Sequence, residues 1–192
     1  MTLVMLTPEH QALLDHWRSI GTDGKPPPRS AFDLAKIEHL SGFLFMLEPV
    51  PSDWIVRLWG HDLVSLFDFD LTNTPFLERT CCGEYVATRR EALLGSSKNQ
   101  TPVAVYSTLC WESRTLLIAE ELYLPLAPVS DDGQPAPILG SLRPVKPGVL
   151  QATRDKRFIG WRPELVANLD RDHSGIKPAS SVQSLASWSS IS

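Results

Sequence analysis

The strand-like runs of this chain are apolar on both sides. In Phe43–Glu48, Phe43, Phe45 and Leu47 alternate with Leu44 and Met46. In Trp54–Gly60, Trp54, Val56 and Leu58 alternate with Ile55 and Trp59, and Arg57 is the one charge. In Arg114–Pro125, Leu116, Ile118, Leu122 and Leu124 alternate with Leu117, Ala119 and Tyr123. An antiparallel sheet with one wet face would alternate apolar with polar residues. These runs call instead for a sheet covered on both faces. At about 25 cal/mol per Å2, several hundred bare Å2 would forgo many kcal/mol and invite association.

The order of elements says what can do the covering. Residues 7–20 read as a helix, with Thr7 as N-cap, Pro8 at the first position and Glu9 in the first turn. Leu13, Leu14, Trp17 and Ile20 share one side of it. The strand runs Phe43–Glu48 and Trp54–Gly60 come next. Short helices are expected at His61–Phe67, Pro75–Thr80 and Cys82–Gly95, the last with Tyr85, Ala92 and Leu93 turned inward. Three more strands follow at Pro102–Trp111, Arg114–Pro125 and Ala136–Pro144. The short helices can cover only one face. The other falls to the helix of residues 7–20, whose face Leu13, Leu14, Trp17 and Ile20 is also assigned to a homodimer or partner contact. The chain thus divides into a helix and proline-rich connector at 1–26, a core domain at 27–145, and an extension at 146–192. Lys146–Arg162 is locally basic; the stretch Arg143–Arg162 reads as a solvated connector that could instead touch acidic lipid or nucleic acid, and Pro163–Leu169 as a short helical turn. Disorder is expected from about Ser174, because eight of the last nineteen residues are serine.

Charge and cysteine usage narrow the function. A net charge of −4 argues against a general nucleic-acid binder. The three cysteines are Cys81, Cys82 and Cys110; two are adjacent, and reduced thiols in a cytoplasm are the simple reading. No apolar run is long enough for a membrane span. Met1–Leu6 is too short for a signal peptide.

Several residues are candidates for a site. Arg57 could anchor an anionic ligand between sheet and helices, or pair with Glu48, Glu120 or Glu121. Trp59, Phe67, Tyr106 and Trp111 could line an aromatic cavity or simply fill the core. Asp70 and Thr72 are expected to cap loop amides. Cys81-Cys82 could sense redox state or could merely open a helix. Glu120 and Glu121 point to opposite faces of a strand, so they form no carboxylate pair. No nucleophile elbow, phosphate-binding loop or His-Glu-x-x-His is present, so the chain is read as a non-enzyme with no metal site.

Four short elements carry a resemblance: Arg29-Ser-Ala-Phe32-Asp33, Arg57-Leu58-Trp59-Gly60, Asp68-Phe69-Asp70-Leu71-Thr72-Asn73, and Leu124-Pro125-Leu126 ahead of Asp132-Gly133. In this order they resemble the bacterial single-domain PAS proteins over roughly residues 27–145. Asp68 and Asn73 stand where that family usually has glycine, and both residue types tolerate left-handed backbone. The resemblance implies an α+β PAS fold, with a five-stranded antiparallel sheet, short helices on one face and the N-terminal helix on the other. It implies a sensory or adaptor module in signal transduction. Such a module acts by protein–protein interaction with a signalling partner, modulated by a small-molecule ligand in some members. The cofactor is left unknown. The axial histidine of haem-binding members is missing from the helix at roughly Gly83–Gly95, and the flavin-binding Asn-Cys-Arg-type motif is missing altogether. The competing readings are a structural or assembly protein with a filled core, and a small enzyme.

Overall fold

Thr7 opens the first helix, α1 (Pro8–Ile20), by accepting a hydrogen bond from the His10 amide at 3.4 Å. The helix ends where the Gly21 amide closes on the Trp17 carbonyl. A computed structural model of the chain describes residues 6–80, 85–111, 116–128, 133–145, 158–169 and 175–178. Short 3-10 turns at Arg29–Ala31 and Leu34–Phe43 lead into β1 (Leu44–Pro49) and β2 (Trp54–Trp59). The helices α2 (His61–Phe67), α3 (Phe76–Thr80) and α4 (Tyr85–Asn99) come next. The strands β3 (Val103–Trp111), β4 (Leu116–Pro125), β5 (Ile138–Pro144), β6 (Phe158–Asn168) and β7 (Gly175–Pro178) complete the chain.

All strand pairs are antiparallel, and the sheet order is β2-β1-β5-β4-β3-β6-β7. The five expected strands lie together, and two more extend the sheet. This corrects the expectation of five strands, of a solvated connector as far as Arg162 and of a helical turn at Pro163–Leu169, since β6 runs through Phe158–Asn168. β6 pairs along the whole of β3, and β7 holds residues 175–178. Proline is tolerated in a strand at a bulge, and Pro163 pairs with Ser107 where the β3–β6 register slips. Residues 179–192, Cys81 and Cys82 lie outside the described residues.

The sheet is covered on both faces, as the two-sided apolar pattern requires. One core lies under α2, α3 and α4. It takes Phe45 and Leu47 from β1, Val103, Val105, Leu109 and Trp111 from β3, and Leu117, Ala119 and Tyr123 from β4. The second lies under α1 and takes Leu44, Ala104, Leu122, Leu124 and Leu139 from the sheet, with Leu13, Leu14 and Trp17 from the helix. Simple alternation would put Trp59 on the face opposite Trp54 and Val56. Between β1 and β2 the register slips, so that Met46 pairs with Leu58 and Leu47 with Val56, leaving Arg57 as an extra residue. A bulge of this kind turns the rest of the strand over. Trp59 thereby joins Trp54 and Val56 in the helix-side core.

Gly140 is the tightest point of that core. It pairs with Phe45 on one side and Tyr123 on the other, and a methyl built on it would overlap the Phe45 ring. The ring stacks on Phe76 at 5.5 Å and meets Tyr123 edge-on at 6.2 Å, so it has no room to retreat. Gly140→Val is expected to lose about 3 kcal/mol by overpacking. Urea unfolding checks this, and adding Phe45→Leu to Gly140→Val is expected to restore much of the loss.

Candidate functional site

Three of the four aromatic candidates come together. Trp59, Phe67 and Trp111 are all buried, with centroid separations of 5.7 Å for Trp59–Phe67 and 6.0 Å for Phe67–Trp111. Phe69 stacks on Phe67 at 5.5 Å, and Phe45 reaches Trp59 at 5.8 Å. These rings fill space between sheet and helices by contact with one another. Tyr106 is not among them. It faces α1 on the opposite side of the sheet, and its hydroxyl donates to Glu120 Oε2 at 2.6 Å.

Arg57 also leaves the expected pocket between sheet and helices. At the bulge its side chain turns to solvent. Its Nε donates to Glu48, the first of the three expected partners, and its Nη1 reaches Asn73 Oδ1 at 3.4 Å. Asp70 Oδ1 accepts from both the amide and the hydroxyl of Thr72, at 2.8 and 2.7 Å. The Thr72 hydroxyl and amide hold the Asp70 carboxyl below its ordinary range. Asp68 and Asn73 both sit in the left-handed region, at φ 62° and 64°, so the loop keeps a glycine-like path without glycine.

Leu13, Leu14 and Trp17 are spent within the chain. They are buried against its own sheet, and the Trp17 indole donates to the Pro125 carbonyl at 2.8 Å. Ile20, at the end of the helix, is half-buried. The intramolecular cover expected of this helix is present. Any contact of this helix with a second chain is therefore left to Ile20 and the solvent side, since the sheet takes Leu13, Leu14 and Trp17.

Two buried polar clusters were not anticipated. Under α1, His10 Nδ1 lies 2.6 Å from Glu120 Oε1 and His10 Nε2 lies 2.9 Å from Ser141 Oγ. Glu120 Oε1 also accepts from the amide and hydroxyl of Thr7. Arg143, the cross-strand neighbour of Glu120, lies 4.7 Å over the Phe43 ring and reaches toward Glu9 at 3.6 Å. Under α4, Arg89 grips Glu121 with two parallel hydrogen bonds of 3.0 and 2.9 Å. Ser107 and Tyr123 both donate to the same carboxylate. Helical spacing carries the signal for Arg89, which sits four residues after Tyr85 and three before Ala92. For the two glutamates the signal is a pair of acids inside an otherwise apolar strand.

Burial opposes ionisation of Glu120, but hydrogen bonds from His10 and Tyr106, the His10 charge and the Thr7 amide outweigh it. The net effect holds this carboxyl below its ordinary value of 4.5. Burial and the neighbouring carboxylate push the Tyr106 phenol up in turn. A carboxyl whose value is lowered by folding adds stability above its unfolded value, and loses it as pH falls through the folded value. Glu120→Gln is expected to cost about 1–3 kcal/mol at neutral pH through unsatisfied donors. The gap from the parent is expected to close as the pH drops below 4.5. Melting curves across that range provide the check.

Among the described residues no group of acids, histidines and cysteines could hold a metal ion. No described helix is long and apolar enough to cross a membrane. A sheet in the order β2-β1-β5-β4-β3, with short helices between β2 and β3, defines an α+β module with helices inserted between its second and third strands. The chain belongs to the PAS domain family, whose match spans residues 5–143. No curated protein matches it.

Proposed function

We propose that this PAS module is a non-catalytic adaptor of the cytoplasm that signals by docking a partner polypeptide. The observation that carries this reading is the aromatic packing between sheet and helices. Trp59, Phe67 and Trp111 pack against one another there as buried core, which supports a module that works without a planar ligand. Information then has to enter or leave at the surface, by binding that favours one arrangement of the module over another. The buried titratable groups support the non-catalytic part. His10 with Glu120, and Arg89 with Glu121, are engaged with each other inside the layers and not turned to a cleft. Self-association through α1 would have to use its solvent side, since Leu13, Leu14 and Trp17 are taken.

Native mass spectrometry of the protein purified from its own host tests the reading. A stoichiometric associated polypeptide is the expected result. A co-purifying small molecule in its place would favour a ligand sensor, and a bare chain under all growth conditions would favour a structural role.

A further inference from the structure

Two arginines from separate motif segments meet at one surface cleft. Arg29 belongs to Arg29-Ser-Ala-Phe32-Asp33 and Arg57 to Arg57-Leu58-Trp59-Gly60, yet both line a cleft of about 580 Å3 beside β1 and β2. Its other walls are mainly apolar, including Met46, Leu126 and Pro128. Glu48 adds one carboxylate, already engaged by Arg57. Arg29 is exposed and has no carboxylate partner among the described residues. Those residues therefore give the cleft two guanidiniums against one carboxylate, with an apolar floor between them. The bulge is what brings Arg57 here. Without the extra residue between Val56 and Leu58, the alternation of β2 would be unbroken.

We propose that this cleft docks an acidic peptide segment of a partner protein, one that sets an aspartate or glutamate beside apolar side chains. The proposal rests on the adaptor reading and supplies its partner's chemistry. Guanidinium binds carboxylate through a two-pronged fork, which suits Arg29 as the free anchor. The apolar floor gives the neighbouring residues an area to bury. A drug-sized ligand usually has most of its surface enclosed. This cleft is open to solvent, which suits a segment of a longer chain better than an enclosed small molecule.

The test uses the full chain and an array of fluorescent nonapeptides with an Asp-Leu-x-Leu centre. Control arrays replace the acid by lysine or the leucines by serine. The expected result is binding of the acidic–apolar set alone, weakened several-fold by added salt. Arg29→Glu is expected to weaken binding about tenfold or more, whereas Glu48→Gln, which removes the one opposing charge, is expected to tighten it. Opposite signs from exposed Arg29 and half-buried Glu48 separate docking from a folding defect, and an unchanged melting temperature for Arg29→Glu completes that control. Binding indifferent to Arg29→Glu overturns the assignment of the cleft. So does an array with no binder, or Arg29-dependent binding of hexanoate without binding of the peptides, which would make the occupant a small acid. The adaptor reading fails separately, by the absence of any polypeptide in native mass spectrometry. A native partner that still binds the Arg29→Glu protein leaves that reading intact and removes only the cleft.

Discussion

Replacing Arg89 by alanine is expected to cost about 3–5 kcal/mol, because it leaves a carboxylate buried without its counter-charge. Arg89 and Glu121 are both fully buried, with side-chain exposures of 0%. The guanidinium supplies two of the hydrogen bonds that Glu121 accepts, and Ser107 and Tyr123 each supply another. Arg89 also lies 5.8 Å over the Phe76 ring, so its loss loosens the contact of α4 with α3. A domain of ordinary stability holds only about 5–15 kcal/mol in all. The variant should therefore melt far below the parent, by roughly 2–4 °C for each kcal/mol at this size. The double variant Arg89→Met with Glu121→Leu is expected to recover part of the loss, since a buried ion pair can be exchanged for apolar packing. Recovery stays partial because the Ser107 and Tyr123 hydroxyls lose their acceptor. Urea unfolding of the parent, both single variants and the double variant gives the coupling directly. Strictly additive losses would show that the pair does not act as a unit.

The same cluster shows where the sequence is legible and where it is not. Burial on both faces can be read from β1, β2 and β4 because hydrophobicity there ignores the two-residue alternation. The position of α1 follows, since an apolar helix face and a bare sheet face need each other. The separation of Tyr106 from Trp111 was within reach: five positions apart on one strand, they face opposite layers. The turn of Trp59 was not, because it depends on a bulge at Arg57 that alternation alone does not reveal. Strand β6 was hidden for a related reason. Pro163 and the basic residues before it argue locally against a strand, and only pairing with β3 through a slipped register makes one. The arginine cleft combines both cases. Its two segments stand out in the sequence, but their meeting depends on tertiary structure.

Trp17→Asp is expected to be the most damaging change on the α1 face, at about 4–5 kcal/mol. Truncating a buried tryptophan alone costs about 3–5 kcal/mol. Here the Pro125 carbonyl also loses its donor, and a carboxylate takes the place of an indole that is only 7% exposed. Trp17→Phe keeps most of the apolar area and removes the hydrogen bond, so about 1–2 kcal/mol is expected of it. The contrast matters because α1 is held by two unlike attachments. Thr7 and His10 tie its first turn to Glu120 and Ser141, while Leu13, Leu14 and Trp17 bury its later turns against Leu122, Leu124 and Leu139. Breaking the apolar attachment should leave a helix tethered at one end over an uncovered sheet. Hydrogen exchange at β4 amides is expected to quicken, and light scattering to report association through the bared face. If Trp17→Asp melts like the parent and β4 stays protected, α1 is not what covers that side of the sheet.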